Sequence, residues 1–125
     1  MILDTTAVSA LFAGDPKLGA VLGVNQHHHL PVVVIGEYSY GLMRSRLRTQ
    51  LQALLDALGR ESIVLDVDRV TARCYADVRE KLRRNGTPIP ENDIWIAALA
   101  RQHSEPVVSR DEHFDLVSGV QRVSW

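Results

Sequence analysis

Short apolar, β-branched runs alternate with longer stretches of helical period along the chain, and this alternation restricts the fold more than any other feature. Residues 1–4 (MILD) read as a clipped first strand, and residues 30–35 (LPVVVI) as a strand buried on both faces. Residues 62–65, 106–109 and 120–123 supply three more strands. Between them, Val8, Leu11 and Phe12 fall at i, i+3, i+4, and Leu18, Val21 and Leu22 repeat that spacing after Asp15-Pro16. A helix is expected over residues 37–46. A strongly periodic one follows through Leu47, Leu51, Leu54, Leu55 and Leu58, with Gly59 as its C′ residue. Val70, Cys74, Val78 and Leu82 step by four along a long helix that Asn85-Gly86 ends. Pro88 and Pro90 make residues 87–90 a rigid loop, and residues 94–100 read as a helix. The alternation predicts an α/β fold, a three-layer α/β/α sandwich on a mainly parallel sheet of four to five strands. Residues 1–125 are expected to form a single domain.

Composition narrows the function classes. Lys and Arg number 14 against 15 Asp and Glu, a net charge of −1, which excludes a strongly basic nucleic-acid coat and a polybasic membrane binder. Cys74 is the single cysteine, so neither an intramolecular disulfide nor a multi-cysteine zinc site can form. The longest apolar stretches, residues 30–36 and 94–100, fall well short of the ~18 residues a membrane span needs. The first basic side chain is Lys17 and Asp4 interrupts the first apolar run, so no leader is expected and the cytoplasm is the expected location.

Placing the acids on this scheme is the most informative step. Open parallel sheets form their sites beyond the carboxyl ends of the strands. Asp4 ends the first strand, Glu37 lies two residues past the run at 32–35, and Asp111 lies two residues past Ser109. Asp93 follows the proline loop and opens the next helix. Each acid alone also suits a helix N-terminus, where it caps free N–H groups. Jointly they would repel, and at least one pKa should rise unless a cation neutralises them. Mg²⁺ suits such an all-oxygen site, and an ion of that kind polarises phosphate groups and activates water.

Four segments then carry a resemblance. Leu3-Asp4-Thr5-Thr6, Val34-Ile35-Gly36-Glu37 with Gly41, Glu91-Asn92-Asp93-Ile94-Trp95-Ile96-Ala97-Ala98, and Ser109-Arg110-Asp111-Glu112-His113-Phe114 together resemble the PIN-domain ribonucleases. Among these the chain is most similar to the VapC toxins of bacterial toxin–antitoxin pairs. The resemblance implies a metal-dependent endoribonuclease in which Asp4, Glu37, Asp93 and Asp111 bind Mg²⁺ or Mn²⁺. Thr5, Thr6 and Ser109 sit where the family places small polar supporting groups, although Asn or Ser is commoner than Thr at position 6. It also implies an RNA substrate, a homodimer and a VapB-like antitoxin. The alternative is a catalytically inert PIN-like domain that binds RNA or protein.

Other features read more plainly. His27-His28-His29 invites a metal assignment, but three consecutive residues splay apart on any regular element, so a solvated loop is expected. His113 is read as part of a short packed turn rather than as catalytic. Arg44, Arg46 and Arg48 form a basic cluster suited to RNA phosphate, with Arg44 and Arg48 on one face if the helix continues. Asp77 to Lys81 and Glu80 to Arg84 are i, i+4 pairs of an exposed helix. Cys74 and Trp95 read as packing residues, Trp125 as packing or a dimer contact, and Asp115 as a surface charge. A dehalogenase-like phosphatase fails because Thr6 stands where its second Asp is needed. A receiver domain fails because Lys17 and Lys81 are the only lysines and neither follows a late strand.

Overall fold

The computed structural model describes residues 1–24 and 27–125. Five short strands, β1 (Ile2–Leu3), β2 (His29–Pro31), β3 (Ile63–Leu65), β4 (Val107–Val108) and β5 (Arg122–Val123), form one sheet in the order β3-β2-β1-β4-β5. Every neighbouring pair is parallel. Successive strand residues point to opposite faces, yet Ile2, Leu3, Val107 and Val108 are all fully buried. Both faces of the central strands are therefore covered, as the three-layer expectation requires.

Six helices provide that cover: α1 (Thr5–Phe12), α2 (Pro16–Leu22), α3 (Val32–Leu42), α4 (Arg48–Glu61), α5 (Arg69–Arg84) and α6 (Glu91–His103). Their starts follow local chemistry. The Asp4, Asp15 and Asp68 carboxylates accept the free N–H groups of α1, α2 and α5, and Thr71 completes a reciprocal capping box with Asp68. The α6 helix brings Ile94, Ile96, Ala97, Ala98, Leu99 and Ala100 into the interior and packs along α5 and α3. A 3₁₀ turn (Glu112–Leu116) follows β4 and seats the fully buried Phe114 in the core.

Three sequence expectations need correction. The LPVVVI run is not one strand: β2 stops at Pro31 and α3 begins at Val32. Only Val34 of that run's second half is buried, while Val32, Val33 and Ile35 are half-buried. The central strand β1 spans just two residues, so β2 needs no more than three, and Pro31 supplies an extended N-cap. Gly59 does not end its helix, because α4 continues to Glu61. The helix expected over 37–46 ends at Leu42, and turns at residues 43–47 separate Arg44 from Arg48. Those two arginines do not share a helical face.

Candidate active site

In a sheet ordered 3-2-1-4-5, the chain winds one way from β1 through β2 to β3 and the other way through β4 to β5. The crevice beyond the carboxyl ends of β1 and β4 is thus the topological switch point. Asp4 follows β1 directly, and Ser109 follows β4 directly. Adjacent parallel strands bring them into contact across more than a hundred residues of chain.

Asp4 is almost completely buried, 3% exposed. Its Oδ1 accepts from the Ala7 N–H at 2.8 Å and the Thr6 hydroxyl at 2.8 Å, and its Oδ2 accepts from the Ser109 hydroxyl. Burial pushes this carboxyl up, the bonds from Ser109, Ala7 and Thr6 oppose that rise, and the nearby charge of Asp111 adds to it. Ser109 also ties in Asp111, whose N–H donates to the Ser109 Oγ at 2.8 Å. Thr6 does the equivalent for the same loop by accepting the Arg110 N–H at 3.1 Å. Position 6 is therefore fully engaged with Thr in place of the commoner Asn or Ser.

Glu37 reaches the same edge from a different element than expected. It lies in the second turn of α3 rather than at the start of a helix that follows a strand ending at Ile35, and the Thr5 hydroxyl donates to its Oε2 at 2.7 Å. Asp93 stands in the first turn of α6. That helix ends shortly before β4 and must run antiparallel to it, so its N-terminus lies at the carboxyl edge of the sheet. Burial pushes the Asp93 carboxyl up to about 6; a bond to His113 opposes the rise, and the charges of Asp111 and Glu37 add to it. Asp111 caps the 3₁₀ turn by accepting the His113 N–H at 2.9 Å.

His113 is the residue that sequence reasoning passed over. Its Nδ1 lies 2.8 Å from Asp111 Oδ1 and 3.2 Å from Asp93 Oδ2, so the ring bridges the two acids. Asp93, Asp111 and His113 can each offer one ligand atom within 4.8 Å of the others. No pattern in the sequence signals this bridge, which depends on the His113 rotamer over a short turn.

The remaining candidates lie elsewhere. Arg44, Arg46 and Arg48 are exposed and enter none of the ion pairs found among the described residues. Arg110 is turned from the acids toward Asp15 at 2.7 Å and stacks 4.5 Å over Trp125, whose indole N–H donates to Asp15. Trp125 is thus packed within the chain. Asp115 pairs with Arg122 at 2.7 Å, and the pairs Asp77–Lys81 and Glu80–Arg84 form as expected. Trp95 is half-buried and stacks on Tyr75 at 4.0 Å, and Cys74 is half-buried. Of the histidine run, only His27 is freely exposed; His29 belongs to β2, and His28 bonds β3 through its carbonyl. The loop expectation fails for that part of the run.

The switch point of this open parallel sheet gathers acids from four segments of the chain, with Asp93, Asp111 and His113 near enough to share an ion. The description "PIN domain" matches residues 1–120, and the chain belongs to the PIN-domain family. Ribonuclease VapC5 of Mycobacterium tuberculosis is 32% identical over 125 residues, covering 98% of this chain and 90% of that protein. The crystal structure of VapBC-5 from the same organism contains a chain 27% identical, with a TM-score of 0.81 and coverage of 99% and 97%. A chain of DNA-bound VapBC from Salmonella typhimurium superposes with a TM-score of 0.89 at 23% identity, covering 99% and 96%, which establishes shared fold.

Proposed function

We propose that this protein is an endoribonuclease, the VapC-type toxin of a toxin–antitoxin pair, which hydrolyses RNA with Mg²⁺, or Mn²⁺ in its place, at the Asp4, Glu37, Asp93 and Asp111 edge. The observation that carries the reading is the convergence at one switch point of acids from α1, α3, α6 and the 3₁₀ turn. The donors fit a divalent ion. Asp4 and Asp93 are raised by burial and by the charge of Asp111, with Glu37 adding to the rise at Asp93, a cost that a cation would offset. The names of the relatives, ribonuclease VapC5 among them, support RNA as substrate and a VapB-like antitoxin as partner.

A divalent ion held there supplies Lewis acidity and neutralises charge developing on a phosphodiester. The chain's own groups divide the remaining work. One carboxylate of the cluster accepts the proton of the attacking water. Thr5 fixes the rotamer of Glu37, while Ser109 and Thr6 fix that of Asp4. These hydroxyls hold the acids in place against their mutual repulsion. Among the described residues no helix is long and apolar enough to cross a membrane. Exposed Tyr40, Met43, Leu47 and Leu54, on α3, the turns after it and α4, offer an apolar surface to the antitoxin or to a second copy in a homodimer.

The test measures cleavage of defined RNAs by the wild type with Mg²⁺, with chelator, and by Asp4→Asn. Activity should require the ion and fall at least about a hundredfold in the variant. Mg²⁺ at a hundred times its Kd should also stabilise the wild type by about 2.7 kcal/mol, roughly 10 °C in Tm. Activity that survives the chelator would overturn the metal dependence, and no cleavage together with a Tm indifferent to divalent ions would favour the inert alternative.

Arg44, Arg46 and Arg48 are proposed to meet RNA phosphate. Replacing all three by Gln should reduce the slope of log binding against log salt by about 2, at roughly 0.7 per single-strand phosphate contact. An unchanged slope removes them from the RNA path.

A further inference from the structure

Of the three groups that approach one another most closely at the acidic edge, one is an imidazole. His113 Nδ1, Asp111 Oδ1 and Asp93 Oδ2 are separated by 2.8 Å and 3.2 Å on the two histidine sides. Adjacent ligands on an octahedral ion with ~2.05 Å bonds stand about 2.9 Å apart. The observed spacings straddle that value. Asp4 already accepts three hydrogen bonds, two on Oδ1 and one on Oδ2, which leaves one lone pair, on Oδ2, for an ion it shares with the other acids. Asp93, Asp111 and His113 each turn one ligand atom toward a shared point; Asp111 Oδ1 also accepts the His113 N–H, and an ion there would take the place of the proton that the His113 ring shares with the two acids.

We infer that His113 is itself a metal ligand through Nδ1, alongside Asp93 and Asp111, and that it biases the site toward Mn²⁺ over Mg²⁺. The inference rests on the metal-dependent reading above and deepens it. Mg²⁺ binds almost wholly through oxygen, whereas imidazole nitrogen is a good ligand for first-row transition ions, so a mixed donor set changes which ion wins. Attachment reinforces the point. The His113 backbone N–H is tied to Asp111, and the neighbouring Phe114 is anchored in the core, so the ring is held beside the acids by covalent geometry. Its 43% side-chain exposure leaves Nε2 open to solvent, and the ring can be replaced without emptying the interior.

The full-length protein is loaded with Mn²⁺ and studied by pulsed EPR, which reads nitrogen-14 coupling to the bound ion. The wild type should show coupling from a directly bound nitrogen. His113→Gln should lose it while still binding Mn²⁺, and the ratio of Mn²⁺ to Mg²⁺ affinity should fall by roughly tenfold or more. Asp93→Asn should lose the signal too, because an ion caught by the His27-His28-His29 run would keep it. Mn²⁺ binding without nitrogen coupling overturns His113 as a ligand and leaves the nuclease reading intact. Coupling that persists in His113→Gln overturns it as well. Failure of the wild type to bind Mn²⁺ or Mg²⁺ overturns both.

Discussion

Asp93→Asn is expected to abolish detectable RNA cleavage, a loss of at least about a thousandfold, while making the metal-free protein more stable at neutral pH. The two effects share one cause. The Asp93 carboxyl is raised from 3.8 to about 6 because burial, and then the charges of Asp111 and Glu37, disfavour its ionised form. The folded state therefore holds a proton that the unfolded chain has already released between those values. Stability attributable to this group falls as pH rises through that window, and the full penalty remains above it. Its ceiling is on the order of 3 kcal/mol, at about 1.4 kcal/mol per pKa unit. Asn carries no charge and escapes the penalty, but it cannot accept a proton and is a poor ligand for a hard cation.

The measurement is chemical denaturation of both proteins from below pH 4 to above pH 7, without and with saturating Mg²⁺. Without the ion, the two curves should nearly coincide at the acid end, with the variant pulling ahead as pH rises. With it, the order should reverse, because only the wild type gains binding energy. A metal-free wild type that matches or exceeds the variant at neutral pH would show that Asp93 is compensated by groups other than a cation.

Much of this arrangement can be read in the residues, and the exceptions have physical reasons. The alternation of strand and helix places Asp4 and Asp111 just past β1 and β4, where each caps the helical turn that follows. Asp93 joins them only if its helix begins at that edge, which the sequence left open; in the structure α6 starts there and runs back to β4. The LPVVVI run misleads because a short apolar stretch reads equally as buried strand or buried helix, and neighbouring strands decide the outcome. Glu37 still arrives at the site, since the carboxyl end of β2 and the start of α3 lie at the same edge. The Arg44 and Arg48 pairing fails for a similar reason, as leucine periodicity resumes at Leu47 without showing the turns before it. His113 depends on a side-chain rotamer over a one-turn helix, which no periodicity reports.

Phe114→Ala should produce the largest loss of stability, about 3–5 kcal/mol, and should weaken divalent-ion binding in the protein that remains folded. The side chain is fully buried within the core that holds Ile96, Val107 and Val108. It anchors a 3₁₀ turn of five residues whose N-cap is Asp111 and whose second residue is His113. Such a short turn has few hydrogen bonds of its own, so its position depends on the aromatic anchor more than on helix propensity. Truncation removes apolar burial and leaves a cavity beneath the segment that carries Asp111 and His113, two of the proposed ligands. Phe114→Leu keeps most of the volume and should cost less than about 1.5 kcal/mol with binding nearly intact, which separates loss of anchoring from general unfolding. Denaturation midpoints and Mn²⁺ titration of the three proteins supply the comparison. If Phe114→Ala loses stability yet binds the ion as tightly as the wild type, the turn is held instead by the Arg122–Asp115 pair at 2.7 Å on its outer side, and Asp111 is positioned from the Ser109 end alone.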